Sequence, residues 1–267
     1  MSTMQVRSIF ISDVHLGLPD CQARYLLDFL RTVRCDRMYL VGDIIDLENL
    51  RKRPWWHADH DEVIHEILAI AAKGTKVTYI PGNHDSELRA FVGQQFAGID
   101  IALNAVHVAA DGRRYKVSHG DEFDGEHNAP KWLLKLGDVM QGFVCAMNRR
   151  VNQLLRGLGI GYWPISIAIK LRIATAARFI REFEQRVGNS ARDAGFDGHI
   201  CGHIHYGHIQ HKDGVTYIND GDWVEHCTGL VEHHDGRFEL LHWTERPKTL
   251  AVSTALEPIT EPLPAAA

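Results

Sequence analysis

Apolar residues fall in short runs through the first third of the chain, and between the runs they recur at helical spacing. Residues 6–12, 38–41 and 77–80 are brief apolar runs, the length and composition of strands buried on both faces. Residues 22–33 carry apolar side chains three and four apart, and residues 62–72 place Val63, Ile67 and Ile70 on one side. Both patterns predict helices. Strand, helix, strand, helix, strand is the order of a parallel α/β core. The second half changes character. Asp111-Gly112, Asp213-Gly214 and Asp235-Gly236 each separate two β-prone runs: 102–109 from 115–118, 209–211 from 215–218, and 230–233 from 238–242. Asp-Gly supplies the positive φ that a tight hairpin needs, so an antiparallel or mixed continuation is expected. Residues 129–188 lie between the two strand-rich regions, are helical in pattern, and read as an insertion. The expected organisation is one domain over residues 1–250 carrying that insertion. A flexible tail over 251–267 follows, containing Pro258, Pro262 and Pro264.

Composition narrows the class. The chain has 267 residues, 45% hydrophobic and 24% charged, with a formal net charge of −5. This is an ordinary soluble globular composition, without the basic field of a nucleic-acid-binding protein. No nucleic-acid partner is expected. The charge is uneven: ten basic residues against three acidic ones lie between Lys131 and Arg186. Cys21, Cys35, Cys145, Cys201 and Cys227 are odd in number and widely spaced, which argues against a disulfide framework and for a reducing compartment. The N-terminus lacks the layout of a signal peptide. The longest uncharged stretch near the basic segment, residues 157–169, is too short and too rich in Gly to span a membrane. A cytoplasmic location is expected.

The chemistry sits in five blocks, each at the end of a strand-like run: Asp13-x-His15, Gly42-Asp43-x-x-Asp46, Gly82-Asn83-His84-Asp85, His119-Gly120-Asp121 and Gly202-His203-x-His205. Strand ends are where open α/β sheets place their ligands. Carboxylates, imidazoles and an amide oxygen suit manganese or iron, with zinc an alternative, and the blocks contain no Cys. Alternate residues share a side, so Asp13 and His15 can hold one ion, while His203 and His205 can serve one ion or two. Taken singly, the blocks have plain readings as solvated turns, or, for the third, as an Asx-turn before a helix capped by Asp85 or Ser86. Their joint occurrence carries the weight. His57, His60, His65, His233 and His234 read as surface residues, with His57 or His60 within reach of a substrate. The loop Asn219-Asp220-Gly221-Asp222-Trp223 has no assigned role.

The five blocks resemble those of calcineurin-like metallophosphoesterases, over residues 8–243. The resemblance implies a four-layer α/β/β/α sandwich with a helical insertion and two divalent ions, manganese first and iron or zinc as alternatives. It implies Asp13, His15, Asp43 and His205 at one ion and Asp43, Asn83, His119 and His203 at the other. His84 becomes the acid or phosphate-stabilising residue, with Asp46 as its orienting partner in preference to Asp85. Two cations about 3.5–4 Å apart activate a water between them and neutralise phosphoryl oxygens. Length, blocks and insertion together resemble the UDP-2,3-diacylglucosamine pyrophosphatase group of lipid A synthesis. That implies cleavage of a pyrophosphate in a lipid- or nucleotide-linked substrate, beneath an apolar, basic lid. The basic, apolar-rich composition of the insertion suits an amphiphilic anion and peripheral contact with the inner face of an anionic membrane, the plain reading being a helical cap with a buried face and solvated basic residues. The chain departs from that group in having His84 where the group carries Arg, the choice common in the wider superfamily. A soluble nucleotide or cyclic-nucleotide phosphodiesterase is the alternative.

Overall fold

The computed structural model describes residues 3–124, 150–151, 174–245 and 247–253. Side-chain alternation along the first two strands decides the layering. In β1 (Met4–Ile11), Ile9 and Ile11 pack on one side while Phe10 packs on the other. In β2 (Val33–Val41), Met38 and Leu40 join Ile9, whereas Tyr39 and Val41 join Phe10. A period of two puts neighbours on opposite faces, and both faces are covered, so the strands read as unbroken apolar runs.

One face receives α1 (Ala23–Thr32) and α3 (Ala58–Ala72) through Leu26, Phe29, Leu30, Val63, Ile67 and Ile70. The other face meets a second sheet. The first sheet continues in parallel from β2 to β3 (Lys76–Ile80) and β5 (Ile99–Ile101), and β4 (Gln95–Phe96) closes that edge. On the far side of β1, the strands β11 (Thr228–Glu232), β12 (Phe238–His242) and β13 (Lys248–Val252) add antiparallel. The order is β13-β12-β11-β1-β2-β3-β5-β4. The second sheet contains β6 (Ala105–Val108), β7 (Arg114–Val117), β8 (Gly198–Cys201), β9 (His208–Lys212) and β10 (Val215–Asn219), ordered β6-β7-β8-β10-β9. Val117, Ile200 and Ile218 of this sheet pack with Phe10, Tyr39, Leu230 and Phe238 of the first. Outside it lies α4 (Ala174–Asp193), with Phe183 and Val187 against Cys201 and Tyr217. The layers are therefore α/β/β/α, as expected.

All three Asp-Gly hairpins form, as β6–β7, β9–β10 and β11–β12. Several boundaries differ from expectation. β2 starts at Val33, five residues early, because its first half is polar yet still pairs with β1. α3 begins at Ala58. Ala251 and Val252 belong to β13, paired with Leu240 and Glu239, so the last sheet strand overruns the expected start of the tail. Residues 254–267 lie outside the described residues. So does most of the expected insertion, of which residues 174–188 open α4. Among the described residues no helix is long and apolar enough to cross a membrane. His60 is a correction: it is 2% exposed, and its Nδ1 accepts from the Gly17 N–H at 3.1 Å, which ties α3 to the loop after β1. No such role is visible in a helix read for its apolar stripe.

Candidate metal centre

The loops that leave β1, β2, β3, β7 and β8 converge where the two sheets face one another. Asp13, His15, Asp43, Asn83 and His84 come from the first sheet, and His119, His203 and His205 from the second. The backbone there is unusual. Asp13, His15, Asp43, His203 and His205 have φ of 49°, 51°, 54°, 71° and 49°. Non-glycine residues in this left-handed region carry a cost and cluster at functional sites. They are five of the eight such residues among those described, so the strain is concentrated on three of the five blocks. Gly42 and Gly202 permit the crowding. A Cβ on Gly42 would lie 2.3 Å from His119 Nδ1, and one on Gly202 would lie 2.1 Å from Ser12 Oγ.

The ring nitrogens and carboxylates point at one another. His205 Nε2 is 3.1 Å from Asp13 Oδ1 and 3.3 Å from His15 Nε2. His15 Nε2 is 3.9 Å from both Asp13 Oδ1 and Asp43 Oδ2. His119 Nε2 is 3.2 Å from Asn83 Oδ1 and 3.3 Å from Asp43 Oδ2. Asp43 thus faces both groups. His203 donates its backbone N–H to Asp13 Oδ2 at 2.8 Å, and its ring packs against His119 with centroids 5.1 Å apart.

The tautomers follow from the other ring nitrogens. His15 Nδ1 donates to Asp46 Oδ2 at 3.0 Å, and His119 Nδ1 donates to the Val41 carbonyl at 2.8 Å, which turns Nε2 of each toward the centre. Outer hydrogen bonds of this kind orient ligating imidazoles. The Asp46 side chain also caps α2 (Leu47–Lys52), accepting from Asn49 N–H at 2.8 Å, and lies 3.1 Å from His84 Nδ1. Asp46 therefore holds His84, and Asp85 does not. The Asp85 carboxylate accepts from the Ile44 and Gly82 N–H groups and the Tyr79 hydroxyl, locking the β2 and β3 loops together. It makes no cap for the short 3-10 helix that follows.

A divalent cation fits this donor set. Asp13 Oδ1 is buried without a hydrogen-bond partner while facing two imidazoles. Burial would raise the carboxyls of Asp13, Asp43 and Asp46, yet their histidine neighbours hold all three below the ordinary range. Burial also opposes a charge on His119, but Asp43, Asp13 and the Val41 carbonyl push it up to about 10. His84 is raised too: burial acts against it, and Asp46, Asp43 and Glu48 outweigh burial. The centre draws in positive charge from every side. Its carboxylate, imidazole and amide donors suit an oxygen- and nitrogen-binding ion.

Other neighbours surround the proposed ligands, and of these Asp124 was not singled out in the sequence. Asp124 Oδ1 lies 2.7 Å from His203 Nε2, and Asp121 pairs with Arg89 at 2.7 Å; both acids lie within or just beyond the His119-Gly120-Asp121 block. The 219–223 loop packs against the centre. Trp223 N–H donates to the Asp13 carbonyl at 3.0 Å, and Asn219 Nδ2 donates to the Gly202 carbonyl at 2.6 Å.

Comparison with known proteins agrees with the geometry. A model of the family described as calcineurin-like phosphoesterase matches residues 6–207. A UDP-2,3-diacylglucosamine hydrolase of Xanthomonas campestris pv. campestris (strain B100) is 32% identical over 254 residues, covering 86% of this chain and 96% of that protein. A protein of the same name from Aliivibrio fischeri (strain MJ11) is 26% identical over 260 residues, covering 87% and 96%. Among solved structures, Yfce, a phosphoesterase from E. coli, has a TM-score of 0.46 at 13% identity, covering 91% of this chain and 99% of that one.

Proposed function

The chain belongs to the calcineurin-like phosphoesterase family and is a metal-dependent phosphoesterase, and from that premise we propose that it cleaves the pyrophosphate of a UDP-diacylglucosamine-like substrate. One observation carries the substrate class: two relatives named for UDP-2,3-diacylglucosamine align over 86–87% of this chain. The segment between Lys131 and Arg186 supports it, since ten basic residues there are interleaved with long apolar ones, a composition suited to an amphiphilic anion at a membrane surface.

In this reading Asp13, His15, Asp43 and His205 hold one ion, and Asp43, Asn83, His119 and His203 hold the other. Manganese is the first candidate for this cysteine-free set of carboxylate, amide and imidazole donors, with iron or zinc as alternatives. When bound, two such ions lower the pKa of water and neutralise phosphoryl oxygens. The chain's own residues do the rest. Asp43 belongs to both sets. Asp46 takes Nδ1 of His84, which leaves Nε2 to donate to the leaving oxygen or to a phosphoryl oxygen. His84, with its side chain 32% exposed, is reachable by a substrate, whereas Asp46 is buried. No serine or cysteine nucleophile is needed.

The test is a turnover panel with manganese comparing UDP-diacylglucosamine, UDP-glucose and a cyclic nucleotide. Hydrolysis of the diacyl substrate to UMP and a lipid phosphate is expected to be fastest. Rapid turnover of a soluble nucleotide with the lipid substrate untouched would overturn the substrate assignment and leave the phosphoesterase chemistry standing.

A further inference from the structure

We infer that Ser12 and Asp220 form a hydrogen-bond relay that aims Asp13 at its ion, with Asp220 acting as a neutral donor. The inference rests on the metal-dependent reading above. Ser12 Oγ is 2.5 Å from Asp13 Oδ2 and 2.5 Å from Asp220 Oδ1. All three residues are at most 1% exposed. A hydroxyl carries one proton, so it can donate to only one of the two carboxyl groups. The other contact needs a proton on the carboxyl side.

The surroundings say which carboxyl carries it. Asp13 Oδ2 already accepts the His203 N–H, and Asp13 Oδ1 faces the imidazole of His205. Asp13 is therefore the acceptor side of the contact, with Oδ2 hydrogen-bonded and Oδ1 turned toward an imidazole. Asp220 makes no ion pair among the described residues, and its Oδ2 is buried without a partner. Burial holds the Asp220 carboxyl well above the ordinary carboxylate range. The protons therefore run one way: Asp220 Oδ1–H donates to Ser12 Oγ, and Ser12 Oγ–H donates to Asp13 Oδ2. Two donors pin Oδ2, and Oδ1 is the oxygen left for a cation. Asp13 sits at φ 49°, a conformation its surroundings must hold. Ser12, itself held by Asp220, and the Trp223 N–H hold it from two sides. Ser12 and Asp220 are thus positioning residues, acting through Asp13.

The test uses the full chain stripped of metal and titrated calorimetrically with manganese(II) chloride. Ser12→Ala, Asp220→Asn and Asp220→Ala are compared with wild type, and the thermal unfolding of each metal-free protein is followed in parallel. Ser12→Ala and Asp220→Ala are expected to weaken one of the two ions by about 10–100-fold and spare the other. Asp220→Asn is expected to bind like wild type, because its amide N–H donates to Ser12 as the carboxyl does. A general packing defect would instead weaken both ions along with the metal-free melting temperature, and that pattern would overturn the relay. Asp220→Asn as weak as Asp220→Ala would overturn it also, since charge would then be what matters. Should Ser12→Ala fail to fold, the Asn and Ala variants of Asp220 still decide. Wild type that binds no manganese would defeat the metal-dependent reading itself, a failure distinct from these.

Discussion

At the residue scale the centre depends on carboxylates that each serve more than one partner. Asp46 holds Nδ1 of His15 and Nδ1 of His84, so a proposed ligand and a candidate acid share one orienting group. His84→Ala is expected to keep its metal, because the proposed ligands are other residues, and to lose about 10²–10⁴ in kcat. The loss should be much smaller for p-nitrophenyl esters, whose leaving group needs no proton; an equal loss for both ester types would assign His84 to phosphate binding alone. The convergence of the five blocks was legible because each is short and has a distinctive letter pattern, and the seven proposed ligands lie within them. The Ser12–Asp220 contact was not legible, since its two residues are 208 positions apart and a hydrogen bond leaves no periodic trace. His60 was misread for a related reason. Its acceptor role toward Gly17 is set by a loop in another part of the chain, and local hydropathy only marks it as polar.

At the scale of elements, the strand-end loops are packed so closely that side-chain volume decides function. A methyl group on Gly202 would lie 2.1 Å from Ser12 Oγ and 2.4 Å from Asp13 Oδ2, both atoms on the path that aims Asp13. Gly202→Ala is expected to cost about 1–3 kcal/mol of stability and to depress manganese-dependent turnover sharply. Gly188 is the contrast: it lies within α4, and a Cβ there meets nothing within 4 Å. Gly188→Ala should stabilise the fold by about 0.5–1 kcal/mol with turnover unchanged. Urea unfolding and initial rates on both variants check the pair, and an inert Gly202→Ala would contradict the packing described here. The hairpins were legible because Asp-Gly states a backbone conformation outright. The first half of β2 was hidden, because Arg34, Asp36 and Arg37 carry no apolar signal and only pairing, with β1 and at Arg37 also with β3, makes them a strand.

At the scale of the whole molecule, Glu232 of β11 joins the two sheets. It accepts from Arg7 at 2.6 Å and Ser8 at 2.7 Å in its own sheet, and it meets His107 Nε2 at 2.9 Å and the Ala110 N–H at 2.8 Å from the other. Burial would raise its carboxyl, but His107, Ser8 and Ala110 hold it below the usual 4.5. Its contribution is therefore complete above about pH 4.5 and is lost as pH falls through the depressed value. His199, fully buried, is pushed down to about 3, chiefly by burial. It stays neutral in the fold while the unfolded chain takes up a proton below the usual 6.5, so its contribution fades between those values. Unfolding free energy is expected to fall continuously from about pH 6.5 towards 3. Glu232→Gln should be less stable at pH 7 and show a shallower slope at the acid end; an unchanged slope in urea melts would remove Glu232 from this account. Which hairpin enters which sheet was not legible. Two join the second sheet and one lies beside β1, and that choice rests on contacts between distant residues.

Neither sheet owns a complete set of proposed ligands. Each ion would be gripped from both sides of the seam, so the centre is a clasp whose jaws are spaced by the filling beneath it. Tyr115 of β7 and Phe238 of β12 meet edge to face across that filling, with centroids 5.0 Å apart. Slackening such a contact leaves every metal-facing atom chemically intact and still opens the jaws. In this architecture the grip on a bound ion would be a gauge of how well the two halves of the molecule are pressed together.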